Sequence, residues 1–340
     1  MKVAICTRSF RPQIGGLGTV AHSYAKGFIG HGWRPIVVTS TPAPDGYDAR
    51  FDYPVCREPG FREFRRVLRG CDAVVFVHLS LVYILWSAFL GRPVVSSIQG
   101  SVCSWGGLRQ VAYTVMFQTH LRLRPLAVLV SESVRSPATR AAPVLGNPYD
   151  SDVFQMPSVP PDLGTLIFSG RLDRCKGIFH LTEAVRLLRQ RGFPIKVTFV
   201  GSGPDESELR ATVAGAGLAE AVTFVGHSEP HRIAELLGQH QLAAVPSDYD
   251  EPFGIVALEA IACGCYVVAF PDGGLPLAVG EAGLLTAEKS PAALADAIQR
   301  LLTDEVLRKH IDEKRRPHLE RFSRDTIVAR LIEMFRIGHR

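Results

Sequence analysis

Two glutamates bracket an apolar segment in Ser247 to Gly264, SDYDEPFGIVALEAIACG: Glu251 and Glu259 stand seven mostly apolar residues apart, with Asp248 and Asp250 just upstream. The arrangement raises two questions: what a carboxylate at each end of an apolar segment does, and whether the Asp-Tyr-Asp binds a metal. Pro252 and Gly254 loosen the chain before the apolar run, so a helix is expected to start near Gly254 or Ile255, its free N–H groups pointing at the preceding loop. Glu251 then precedes the helix and Glu259 lies about one turn inside it. At ~1.5 Å rise per residue their Cα atoms stand on the order of 10 Å apart.

Phosphate recognition needs closely approaching backbone amides and cationic side chains. SGRLDRCKG supplies Arg171 and Lys176 after a strand, and IGGLG at 14–18 supplies Gly15 and Gly16 before a helix. GSGP at 201–204 lacks the third glycine of a dinucleotide fingerprint, and no complete G-x-G-x-x-G with a following acidic residue supports an NAD enzyme. His227, His231 and His240 have no acidic or cysteine partner at ligand spacing and read as surface or loop residues.

Short apolar strands alternating with helical segments must position these groups. KVAIC, RPIVVTS, AVVFVH, RPVVSSI and AVLVSES read as strands buried on both faces, with a helix over 19–30. A polar, proline-rich interval from GNPYDSDVF to about residue 164 reads as a linker. The pattern then restarts with TLIFSG, a helix over 178–191, IKVTFVGSG, a helix from Pro204, VTFVG, a helix over 230–238, LAAVPS, the opening segment as a helix, CYVVAF, and a last helix near 323–336. The fold class is α/β, with two Rossmann-like doubly wound domains facing across a cleft. The boundaries fall at 1–150, 151–322 and 323–340, the last being a helix that crosses back to the first domain. Ligands in such sheets sit at the carboxyl ends of strands, so the loops to inspect include 14–18, 99–107, 170–177, 226–230 and 248–255.

The net charge of +5 hides an asymmetry: residues 1–150 hold 17 Lys and Arg against 8 Asp and Glu, whereas 151–340 hold 21 against 25. The basic half favours an anionic partner. In FREFRRVLRG at 61–70, Phe61, Phe64, Val67 and Leu68 can line one helical face while Arg62, Arg65, Arg66 and Arg69 lie around the other. Such a helix suits an anionic membrane surface, the alternative being an ordinary solvated face. Seven cysteines without a C-x-x-C pair suggest no disulfide framework or zinc site. Cys263 and Cys265 read as helical. The N-terminus has too short an apolar run for a signal peptide, and the apolar region from Val74 to Leu90 falls short of a membrane span. A cytoplasmic protein is expected, peripheral at the inner face of the membrane if the basic helix docks.

EPFGIVALE, in order with GGLG, GRLDRCKG, VGSGPDESEL, VTFVG and GGLPLAVGEAGLL, resembles the Glu-x7-Glu motif and its companions in the retaining glycosyltransferases of family 4, which have the GT-B fold. The resemblance covers nearly the whole chain and is densest from about 165 to 286. It implies that Glu251 contacts hydroxyls of the donor sugar and Glu259 grips the ribose. Arg171 and Lys176 would bind the diphosphate, with backbone amides at Phe253, Gly254, Ile255 and Val256 and with Gly15 and Gly16 of the opposite domain. The loop at Gly226 would flank the base. Arg171, Lys176 and Glu251 are the implied catalytic set, without a metal and with no cofactor beyond a UDP- or GDP-linked donor. The acceptor would be a glycan, lipid-linked or small-molecule hydroxyl bound by the first domain, and no nucleic acid is expected. Gln99 stands where family members often have histidine, and Leu277 where an acidic residue is usual. Gln can donate a hydrogen bond to a sugar hydroxyl but cannot exchange a proton near neutral pH. These departures motivate the alternative of a catalytically silent sugar-nucleotide-binding or scaffold protein. His78, ending VVFVH, reads either as lining the acceptor side with Gln99 or as satisfying a strand-end hydrogen bond.

Overall fold

The computed structural model describes residues 1–13, 15–78, 80, 83, 85, 91–100, 115–120 and 126–337. The apolar stretch read over 74–90 and the loop read over 99–107 lie partly outside the described residues. The chain forms two units, one of Met1–Pro148 with Phe322–Arg340, the other of Tyr149–Arg321.

The first unit holds a parallel sheet of β1 (Lys2–Thr7), β2 (Arg34–Thr39), β3 (Val55–Arg57), β4 (Ala73–Val77), β5 (Val94–Ile98) and β6 (Ala127–Leu129), in the order β3-β2-β1-β4-β5-β6. Every residue of β4 and β5 is buried. That is why these strands read as unbroken apolar runs rather than alternating ones. Helix α1 (Gly16–Gly30) follows β1, and α2 (Phe61–Arg69) precedes β4.

The second unit repeats this winding with β7 (Asp162–Ser169), β8 (Lys196–Val200), β9 (Val222–Gly226), β10 (His240–Val245), β11 (Tyr266–Ala269) and β12 (Gly283–Leu285), in the order β12-β11-β10-β7-β8-β9. Its helices are α3 (Ile178–Gln190), α4 (Glu206–Gly215), α5 (Pro230–Gln239), α6 (Ile255–Ala262), α7 (Leu275–Val279), α8 (Pro291–Thr303) and α9 (Glu305–Arg321). In each sheet the strand order reverses beside the first strand, between β1 and β4 and between β7 and β10. Loops leaving the carboxyl ends there diverge and leave room for a ligand.

The last helix, α10 (Arg324–Ile337), belongs to the first unit and packs on α1. The Phe28 and Phe335 rings stack with centroids 6.2 Å apart. Gly27 makes the approach possible, since a Cβ there would lie 2.6 Å from Cγ2 of Val328.

Several sequence expectations need correcting. The start of the presumed linker is packed: Leu145 through Asp150 are buried, and the exposed chain begins near Gln155. His240 is a buried strand residue, not a surface one, because its ring nitrogens are satisfied by the Leu236 carbonyl at 2.6 Å and the Thr198 hydroxyl at 2.8 Å. Cys263 and Cys265 follow α6 rather than lying within it, and α4 begins at Glu206, not Pro204. On α2, Phe64 and Leu68 are buried but Phe61 stays 47% exposed. Arg65 is half-buried, with Nε removed from solvent.

Candidate functional site

The loops after β7 and β10, neighbours across the switch point, carry the densest chemistry. After β7 the chain makes a single turn over Arg174–Lys176, capped by Asp173, whose carboxylate accepts from the Cys175 amide at 3.1 Å. Gly177 then opens α3 with φ +72°, and a Cβ at that position would fall on the Pro246 carbonyl. Only glycine lets the turn press against the end of β10. The Asp248 amide completes the junction by donating to the Cys175 carbonyl at 2.7 Å.

Two candidates come together there. Lys176 Nζ lies 2.6 Å from Oε2 of Glu251 and 2.9 Å from the Tyr249 hydroxyl. The Ser247 hydroxyl donates to the same Glu251 oxygen at 3.1 Å. Burial pulls the Lys176 pKa down, but the Glu251 carboxylate and Tyr249 outweigh it and leave the ammonium above its usual range. Tyr249 is pushed up to about 12 by burial and by Glu251. The ammonium is therefore kept across the neutral range, and the tyrosine stays a phenol.

Behind Glu251 lies the Gly273–Gly274 turn. The Gly274 amide donates to the Glu251 carbonyl at 2.6 Å, and a Cβ on either glycine would collide with the 251–253 backbone. Phe253 and Gly254 are buried beneath this turn, and Gly254, with φ +90°, begins α6. Ile255 and Val256 precede the first intrahelical bond, so their N–H groups face the loop that holds Glu251. Glu259 lies one turn further, partly buried. Burial first and Asp150 second raise its carboxyl to about 7.

Asp248 of the Asp-Tyr-Asp is held by basic side chains. Asp248 lies 3.3 Å from Lys289 Nζ and 3.3 Å from His180 Nε2, and Lys289 also meets Asp272 at 2.7 Å. These contacts brace the loops after β10, β11 and β12 against α3. Among the described residues no cluster of three or more His, Cys, Asp or Glu is placed to hold a metal.

Other candidates lie apart. Arg171 is exposed, with Nε 3.8 Å from Asp173. Gly226 ends the edge strand β9, where its carbonyl accepts from the Gly201 amide at 2.8 Å. Gly15 and Gly16 start α1 in the first unit, with open space around both. Gln99 follows β5 and forms a reciprocal amide pair with Asn147, at 2.8 Å and 2.7 Å, while donating to Ser97 at 2.8 Å. Both of its N–H donors are thus taken, which leaves a carbonyl lone pair rather than a donor to offer a hydroxyl. His78 follows β4 with φ +62°.

Sequence reasoning passed over Ser247 and Tyr249, although they sit four and two positions before Glu251. It also missed Asn147, His180, Asp272 and Lys289. Ser290 followed by Pro291 was a helix-start signal that pointed to the neighbourhood of Lys289.

Residues 153–318, nearly all of the second unit, match the family model described as glycosyl transferases group 1. D-inositol 3-phosphate glycosyltransferase of Corynebacterium jeikeium (strain K411) is 36% identical over 186 residues, which cover 51% of this chain and 44% of that protein. The enzyme of the same name from Acidothermus cellulolyticus is 36% identical over 52% of this chain and 42% of its own. The chain therefore spans less than half the length of these curated relatives. Among solved structures, Anabaena Alr3699/HepE in complex with UDP superposes with a TM-score of 0.82 at 19% identity, covering 99% of this chain and 100% of that one. A glycosyltransferase from Rickettsia africae gives 0.80 at 16% identity, covering 100% and 99%. The fold is GT-B, with two Rossmann-like units each built on a parallel six-stranded sheet.

Proposed function

We propose that the chain is a retaining, metal-independent glycosyltransferase of the family 4 type that moves a sugar from a UDP- or GDP-linked donor to a hydroxyl acceptor. The observation that carries this reading is the Lys176–Glu251 pair, held beside the start of α6 within the segment that matches the group 1 family model. The solved neighbour HepE was crystallised with UDP and also with UDP-glucose.

In this reading Glu251 holds donor sugar hydroxyls and Glu259 holds the ribose. Lys176, Arg171 and the amides of Ile255 and Val256 receive the diphosphate, and the loop from Gly226 flanks the base. As the glycosidic bond breaks, positive charge spreads over the sugar ring and negative charge grows on the departing diphosphate. Fixed cations and helix N–H groups at that diphosphate stabilise the transition state more than the ground state. Lys176 has three donors; Glu251 and Tyr249 take two, and the third is left for a phosphate oxygen. Glu251 already accepts from Lys176 and Ser247 on one oxygen, so its role is to orient the sugar, not to attack it. Front-face departure lets a leaving-group oxygen take the acceptor proton, which retains configuration.

The acceptor belongs to the first unit, whose α2 carries the exposed Phe61 with Arg62, Arg66 and Arg69. This composition suits peripheral contact with an anionic membrane from the cytoplasmic side. No helix among the described residues is long and apolar enough to cross a membrane. A second reading, a silent sugar-nucleotide binder, draws on Leu277 and on the engagement of Gln99 with Asn147. Nucleotide release from sugar donors, measured with and without acceptors, separates the two.

A further inference from the structure

His78 occupies the first position after β4, and Arg8 the first after β1. The two strands are adjacent, with Thr7 registering against Val77. The histidine backbone takes a left-handed φ of +62°, held by its N–H donating to the Ser97 carbonyl at 2.9 Å. Its Nδ1 is buried with no hydrogen-bond partner. Backbone strain and an orphaned ring nitrogen at one residue both oppose stability, and such residues cluster where a ligand supplies the compensation.

The surroundings indicate which ligand. Burial and then Arg8 hold the imidazole below its usual range, so it is neutral at pH 7, and no carboxylate is among the charges that act on it. Arg8 is exposed, and among the described residues its guanidinium forms no ion pair. Its carbonyl is fixed by the hydroxyls of Thr39 and Thr41 at 3.5 Å and 3.4 Å, so the turn that carries it is anchored. A guanidinium and a neutral imidazole that follow adjacent strands, at the carboxyl edge of a parallel sheet, suit a planar or tetrahedral oxyanion.

We propose that Arg8 and His78 form a subsite for an oxyanion, a phosphate or carboxylate group, carried by the acceptor. Assigning the anion to the acceptor rests on the transferase reading, while the subsite stands on the first unit alone.

The test follows the His78 ring resonances of the full chain, identified by their loss in His78→Asn, during titration with inorganic phosphate, glycerol phosphate and glycerol. The expected result is that both phosphates move His78 but not the buried His22 and His240, that glycerol moves none of them, and that Arg8→Gln weakens the phosphate effect about tenfold or more. A His78 signal that ignores both phosphates, or that moves equally in the Arg8 variant, overturns the subsite. A response to free phosphate but not to the ester overturns the acceptor assignment. No donor is present, so these outcomes are independent of whether transfer occurs.

Discussion

The Lys176 ammonium and the Ser247 hydroxyl converge on one oxygen of Glu251, Oε2, at 2.6 Å and 3.1 Å. Both contacts fall on Oε2 and not on the other carboxylate oxygen, and Glu251 and Tyr249 together engage two of the three lysine donors. Two side chains 75 positions apart in sequence form one unit, and its strength is measurable.

The Glu251 side chain is only 13% exposed and Lys176 26%, so removing either partner leaves a poorly solvated charge. Lys176→Ala and Glu251→Ala should each lower unfolding free energy by on the order of 2–3 kcal/mol, less than a fully buried pair loses. The Lys176→Ala, Glu251→Ala double variant should lose clearly less than the sum of the two, a coupling visible in a double-mutant cycle of denaturant unfolding. Additive losses would show that the pair contributes nothing as a pair.

Glu259 gives stability a pH dependence of unusual sign for a carboxylate. Its native pKa of about 7 lies above the ordinary 4.5, so between those values the folded protein binds more protons than the unfolded chain. Stability from this group is full below about pH 4.5, falls as pH rises through about 7, and is flat beyond, with a total change on the order of 3 kcal/mol. Glu259→Gln should therefore unfold at higher temperature than the parent at pH 8 and show no such advantage near pH 4.5. Equal differences at both values would exclude the shift.

Much of the candidate site was legible because its residues are close in sequence. Glu251, Gly254 and Glu259 lie in one stretch, and Arg171 and Lys176 in another, each following a strand whose buried apolar run is plain in the sequence. The contacts that join the stretches were not legible, because they depend on loops from different strands meeting at one sheet edge. Tyr249 and Lys289 have ordinary surroundings in sequence and acquire partners 73 and 41 positions away. His240 misled for the same reason, since its two ring partners come from a helix end and from β8. Helices α8 and α9 went unread although Ser290, whose hydroxyl accepts from the Ala293 amide, is a recognisable cap.

Chelation should leave activity unchanged. Asp248, the carboxylate that an Asp-x-Asp reading would give to a metal, is engaged by Lys289 and His180. Rates in EDTA equal to those with added magnesium or manganese are expected, whereas a rate that needs the cation would restore the metal reading of Asp248 and Asp250.

Helix α2 predicts salt-dependent membrane contact. Neutralising Arg62 and Arg66 to Gln, both exposed, should weaken cosedimentation with anionic vesicles by about 2 kcal/mol of binding, roughly 1 kcal/mol per basic residue. Neutral vesicles should show no difference. Unchanged binding to anionic vesicles would make the arginines a solvated face.

The central claim is tested most directly by nucleotide release from a panel of UDP-, GDP- and ADP-sugars, comparing the parent chain with Lys176→Ala and Glu251→Ala. Turnover with one donor class, reduced about a hundred- to a thousandfold in each variant while the folded spectrum is kept, is the predicted result. Full turnover in both variants would contradict the placement of the donor at the Lys176–Glu251 pair.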